Sequence, residues 1–188
     1  MTSSETGQDV VDVLVSDHRD VTALIGEIWS VKDPMIRRDL TDTAISELVR
    51  HAVAEEMYVY PAMKKYLPDG EKAVEHDIEE HKELERTMKE LEGCDAQDHR
   101  FMELVRQLRG ALHHHATDEE NEQFPQLRAR IPAEKLVQMR DQVQTAKRVA
   151  PTRPHPSAPN SEVFHKMVGP GVGLMDRVRD KLTGRTTP

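Results

Sequence analysis

From about residue 8 to residue 149, apolar side chains recur every three or four positions, the period of one helix face, with little of the alternation a strand requires. Val11, Leu14, His18, Val21, Ile25 and Ile28 form the first stripe and predict a helix over roughly residues 8–31. Asp33 and Pro34 supply a cap and a first-turn proline for a second helix. That helix is expected to run to about Tyr60, where Pro61 ends or bends it by removing a donor and crowding the preceding turn. Pro68, Asp69 and Gly70 make the next break. A third helix over about 70–92 carries Ile78, His81, Leu84, Met88 and Leu91, and Gly93 closes it. The fourth, over about 97–123, carries Phe101, Leu104, Leu108, Ala111, His115 and Glu119 before Pro125 breaks it. Pro132 opens a fifth helix reaching about Val149, so the chain reads as all-α.

Two segments of this pattern repeat. HAVAEEMYVYP from His51 and HATDEENEQFP from His115 both read H-A-x-x-E-E-x-x-x-aromatic-P, 64 residues apart. DHRDVTALIGEI from Asp17 and EHKELERTMKEL from Glu80 match at an offset of 63, placing His18 opposite His81. The chain is therefore two similar helical hairpins, and two such hairpins facing each other close a four-helix bundle. Each brings one histidine from its first helix and a His/Glu pair, four residues apart on one face, from its second.

The candidate site residues are thus His18, His51, Glu55, His81, His115 and Glu119, all on or beside the apolar stripes. A carboxylate there costs several kcal/mol unless something neutralises it, and a divalent cation does so directly. Two carboxylates and four imidazoles leave a pair of ions short of six ligands each, so positions remain for water, bridging oxygen or a small molecule. A lone histidine on an apolar face is ordinarily a hydrogen-bonded core residue. Here chance must place the eleven-residue pattern twice, with a matching histidine in each preceding helix, which favours the metal reading.

The remaining histidines fit the pattern less well. His76 lies about 140° around the helix from His81. His113 and His114 adjoin His115, but only His115 aligns with His51. These three, with His99, His155 and His165, are expected to be solvated or to support the site from outside. Glu56 and Glu120 recur in the repeat about 100° from the ligand face and are expected behind the ligands or on the surface. Tyr58, seven residues after His51, is expected to return to the ligand face and hydrogen-bond near the site.

Composition narrows the rest. Cys94 is the single cysteine, which excludes an internal disulfide and a thiolate cluster and suits a reducing cytoplasm. A formal charge of -8 argues against a nucleic-acid binder. No apolar stretch reaches the ~18 to 20 residues of a membrane span, and the N-terminus is acidic where a signal peptide is basic. Pro151, Pro154, Pro156 and Pro159 predict an extended linker over residues 150–162, outside the bundle of residues 8–149. Residues 163–188 then read as a peripheral amphipathic helix or mobile tail, in preference to a membrane-surface or partner-binding segment.

The order His18, His51-x-x-x-Glu55, His81, His115-x-x-x-Glu119 resembles the hemerythrin-like, or HHE cation-binding, family over roughly residues 9–130. The resemblance implies an antiparallel up-down-up-down four-helix bundle with a cofactor of two iron ions: a non-heme di-iron centre bridged by both glutamates and an oxo or hydroxo group. Manganese shares these ligand preferences. The function implied is binding of, or reaction with, O2, nitric oxide or peroxide, which leaves room for a peroxide- or nitric-oxide-consuming activity. The alternative is an iron- or oxygen-responsive sensor whose metal occupancy controls a partner surface. Oxygen-carrying hemerythrins have two histidines four apart on the third helix, whereas Asp77 stands at that place before His81. The missing imidazole argues against simple oxygen carriage. Ferritin-type Glu-x-x-His spacing and the H-E-x-x-H zinc motif do not describe these histidines.

Overall fold

The computed structural model describes residues 8–156 and 169–185. Helix α1 (Val10–Ser30) starts at a reciprocal cap, in which Asp9 accepts from Val11 N and Asp12 N while Asp12 accepts from Asp9 N. Helix α2 (Pro34–Ala54) starts at Asp33, whose side chain accepts from Met35 N and Ile36 N, with Pro34 in the first turn where no donor is missed.

Pro61 does not end this helix. A π-helical turn, Glu55–Val59, follows α2 and leads directly into α3 (Tyr60–Tyr66), so the rod continues past the proline. Tyr60 N–H donates to Glu55 O, one residue further back than in an α-helix. The widened turn relieves the clash that the Pro61 ring would otherwise make with the carbonyl four residues earlier. The second hairpin does the same. Helix α4 (Gly70–Gly93) is followed by α5 (His99–Asp118), a π turn over Glu119–Gln123 and α6 (Phe124–Arg130), with Phe124 N–H donating to Glu119 O before Pro125. The expected breaks at Pro61 and Pro125 are therefore bulges, each beginning at a candidate ligand.

Helices α1 and α2 pack as one hairpin and α4 and α5 as the other, and contacts of α1 with α5 and of α2 with α4 close the bundle. Short connections make all neighbours antiparallel. The core falls into two apolar halves, one around Leu14, Val53, Met63, Phe124 and Leu127, the other around Ile25, Ile45, Leu48, Met88, Phe101 and Leu108. The candidate site residues occupy the waist between them. Helix α7 (Ala133–Val149) lies against α1 and α2 and buries Leu136, Met139, Val143 and Ala146.

Gly70 is required by close approach. A Cβ there would collide with the Met63 carbonyl where α4 begins against α3. Gly70→Ala is expected to cost about 1–3 kcal/mol in denaturant unfolding, the usual penalty of overpacking.

At residues 150–154 the chain differs from an extended, solvated linker: Ala150, Pro151, Thr152, Arg153 and Pro154 are buried. They are held by helix α8 (Gly169–Thr183), where Asp176 accepts from Thr152 N and Arg153 N, and Asp180 accepts from Thr152 Oγ1 and Arg153 Nε. Arg153 and Arg185 also share Glu92 of α4, each at 2.7 Å. Polar pairing supplies the docking that a thin apolar stripe cannot. Residues 157–162 of the expected linker, His165, and the tail segments 163–168 and 186–188 lie outside the described residues. Among the described residues no helix is long and apolar enough to cross a membrane.

Candidate metal centre

The structure brings His18, His51, Glu55, His81, His115 and Glu119 together in one buried layer, with all six at most 3% exposed. His18 and His51, on α1 and α2, place their Nε2 atoms 3.1 Å apart. His81 and His115, on α4 and α5, repeat this at 3.3 Å. Two nitrogens bound to one ion at about 2.1 Å stand about this far apart, so each pair suits one cation.

The glutamates lie between the pairs. Glu55 Oε2 is 3.2 Å from His51 Nε2 and 3.4 Å from His81 Nε2. Glu119 Oε2 is 3.4 Å from His18 Nε2 and 3.5 Å from His115 Nε2. Each carboxylate thus reaches both pairs, the position of a bridge. None of their four oxygens accepts a well-formed hydrogen bond, although both side chains are fully buried. Such orphaned acceptors are costly in a protein interior, and the donor set of imidazole nitrogens and carboxylate oxygens fits a pair of divalent cations.

A second set of carboxylates holds the imidazoles from behind. His18 Nδ1 is 2.8 Å from Glu120 Oε1, His51 Nδ1 is 3.2 Å from Asp17 Oδ2, His81 Nδ1 is 2.9 Å from Glu56 Oε1, and His115 Nδ1 is 3.0 Å from Glu80 Oε2. An ionised carboxylate only accepts, so Nδ1 carries the proton and donates, and an imidazole that gives up its other proton turns an Nε2 lone pair to the centre. Asp17 and Glu80 act within a hairpin; Glu56 and Glu120 cross to the other. Lys147 of α7 donates to Asp17 Oδ1 at 2.6 Å, tying the fifth helix into this shell. Glu56 and Glu120 thus stand behind the ligands, whereas Asp17 and Glu80 carried no assignment in the sequence. Their signal was an acidic residue immediately before the histidine in both halves.

In the metal-free chain these carboxylates favour charged imidazoles. Burial works against charge on His51, but Glu55 and Asp17 outweigh it and push it up to about 10. His81, also opposed by burial, is pushed up to about 9 by Glu55 and Glu56. Burial likewise opposes ionisation of Asp17 and Glu80, yet His51 with Lys147, and His115 with His76 and His114, hold the two carboxyls below their usual values.

The phenol beside the cluster is that of Tyr60, with Oη 3.0 Å from His81 Nε2, while Tyr58 is half-buried against the core. The π turn at Glu55 changes the register that had placed Tyr58 on the ligand face. Burial and the charges of Glu55 and Glu119 raise Tyr60 well above its usual value, so it stays protonated and able to donate. Asp77 is fully buried, accepts from Gln123 Nε2 at 2.9 Å through Oδ1, and leaves Oδ2 without a partner. Burial and the charge of Glu119 push it up to about 7.

Two openings approach the layer. A groove of about 440 Å³ between α1 and α5, lined by Arg19, Thr22, His113, Thr117 and Glu120, reaches the outer edge of His18. A void of about 10 Å³ lies over His51, His81 and His115 beneath Leu48, Leu84 and Met88. That is close to the room one water needs. Of the other histidines, His99 pairs with Asp98 at the surface and His155 with Asp176 of α8.

Residues 9–127 match the model of the hemerythrin HHE cation binding domain, well over half of the chain. The chain belongs to the hemerythrin HHE family. It is 29% identical over 174 residues to an uncharacterized hemerythrin-like protein of Schizosaccharomyces pombe, covering 92% of this chain and 86% of that one. It is also 26% identical over 145 residues to a DNA nickase of Nostoc, covering 77% of this chain and 41% of the nickase. No solved structure matches the chain significantly. The hemerythrin match runs from the start of α1 into α6, and Thr152 and Arg153, which pair with α8, lie beyond it.

Proposed function

We propose that this hemerythrin-family chain holds two iron ions, one between His18 and His51 and one between His81 and His115, with Glu55 and Glu119 shared by both, and that it binds or reacts with O2, nitric oxide or peroxide. The observation that carries the reading is the pair of fully buried glutamates whose oxygens lack hydrogen-bond donors and face four inward Nε2 atoms. Iron, when bound, supplies Lewis acidity and the electrons for small-molecule chemistry.

The protein's own groups do the rest. Leu48, Leu84 and Met88 keep bulk water from the void over the histidines, whose volume of about 10 Å³ favours a ligand of few atoms. Tyr60 Oη presents a proton beside His81. Asp77, held through one oxygen by Gln123, keeps a second polar atom in the same interior.

Elemental analysis with optical spectra before and after peroxide or nitric oxide tests this. The expected result is about two irons per chain and an absorption band that changes with the added molecule. A colourless protein filled with zinc, or one free of metal, refutes it.

A sensor reading has one observation in its favour. Helix α4 carries His81 and also Glu92, which anchors Arg153 and Arg185 around α8. If metal occupancy controls that docking, proteolysis near residue 156 changes rate on metal removal. An equal rate in both states excludes the link.

A further inference from the structure

Outside the buried layer, α4 and α5 build a second histidine-carboxylate cluster that the hemerythrin ligand pattern does not use. His76 and Glu80 stand four apart on α4, and His114 and Asp118 four apart on α5. The two pairs meet across the antiparallel helices. His76 Nε2 is 3.4 Å from Glu80 Oε1 and 3.7 Å from Asp118 Oδ2. His114 Nδ1 is 3.3 Å from Glu80 Oε1 and 3.4 Å from Asp118 Oδ2. Each nitrogen therefore lies beside both oxygens.

We propose that His76, Glu80 and Asp118, with His114 beside the same two carboxylates, form a third cation site, for a divalent transition-metal ion such as zinc, on the surface of the bundle. Bond lengths of about 2.0–2.2 Å to nitrogen and oxygen place neighbouring ligands of one ion about 3 to 3.5 Å apart, close to the spacing found here. The side chains arrive as two i,i+4 pairs on packed helices, so little freedom is lost on binding. His76 and His114 are 56% and 66% exposed, which gives an ion direct access from solvent.

Glu80 links this site to the interior. Its Oε1 faces the surface cluster while its Oε2 accepts from His115 Nδ1 at 3.0 Å. A cation on Oε1 draws charge from Oε2, makes His115 a weaker donor to the buried layer, and so loosens whatever ion that layer holds.

The link rests on the buried reading, but the surface site does not, and its test separates them. The full-length protein with its native metal content is dialysed against zinc, alongside His76→Ala/His114→Ala. The expected result is one added zinc per wild-type chain, bound at least about tenfold more weakly by the double variant, with equal buried metal in both. Loss of buried metal to a chelator should quicken a few-fold on zinc addition in the wild type only. Equal zinc uptake by both proteins, or uptake only by displacement of the native metal, overturns the surface site and leaves these residues as ion pairs. An unchanged rate of chelation overturns the link.

Discussion

Glu119→Gln is expected to strip the chain of its bound metal while leaving the bundle folded. The side chain is fully buried and its Oε2 stands near both a His18 and a His115 nitrogen, so its charge serves both halves of the layer. Losing a group that merely supports a metal ligand typically costs 10–100-fold in affinity. For a carboxylate shared by both positions the loss is expected to exceed about 100-fold. Glutamine keeps the volume but takes away the counter-charge that favours a charged His115, so the metal-free variant should be less stable than the metal-free wild type. The contrast lies in the response to metal. At a thousandfold excess over the dissociation constant a ligand adds about 4 kcal/mol, and this increment should vanish in the variant. Metal content after dialysis and thermal midpoints with and without metal check both parts. A variant that keeps two ions per chain would end the bridging assignment.

Raising the pH is expected to weaken the metal-free chain and tighten its hold on metal. His51 and His81 are raised to about 10 and about 9, above the ordinary imidazole value of about 6.5. The folded state therefore binds more protons than the unfolded one across this window. Their contribution is complete below about pH 6.5 and drains away as pH climbs through 9 and 10, on the order of a few kcal/mol in all. A metal must displace the same protons, so uptake at pH 7 should release protons, and affinity should rise with pH until the imidazoles are neutral. Urea unfolding of metal-free and loaded protein at pH 7 and pH 10, with proton release on metal addition, tests this. A metal-free chain of equal stability at both values would contradict it.

Much of the layer was legible in the sequence because helical period and internal repeat act on the same residues. The four-residue step from His51 to Glu55, and from His115 to Glu119, puts each pair on one face, and the apolar neighbours of His18 and His81 point that face inward. The sequence did not show that Pro61 and Pro125 sit inside continuous rods, because an extra residue in a helical turn leaves no mark in a hydrophobic pattern. The same slip replaced Tyr58 with Tyr60 beside His81. Asp17 and Glu80 were visible beside His18 and His81, yet each serves a histidine on the next helix, which only packing reveals. The buried ties from Thr152 and Arg153 to Asp176 and Asp180 join positions more than 20 residues apart and carry no periodic signature.

The crossed supports have a consequence for the origin of the chain. His18 leans on Glu120 and His81 on Glu56, so a lone half of the molecule would lack the carboxylate behind its first histidine. Two copies of one half, set face to face, would exchange those carboxylates and regain the full set. Both halves also widen at the matching glutamate, so the irregularity is part of the repeat. A small homodimer, later fused end to end, is the simplest precursor this symmetry describes.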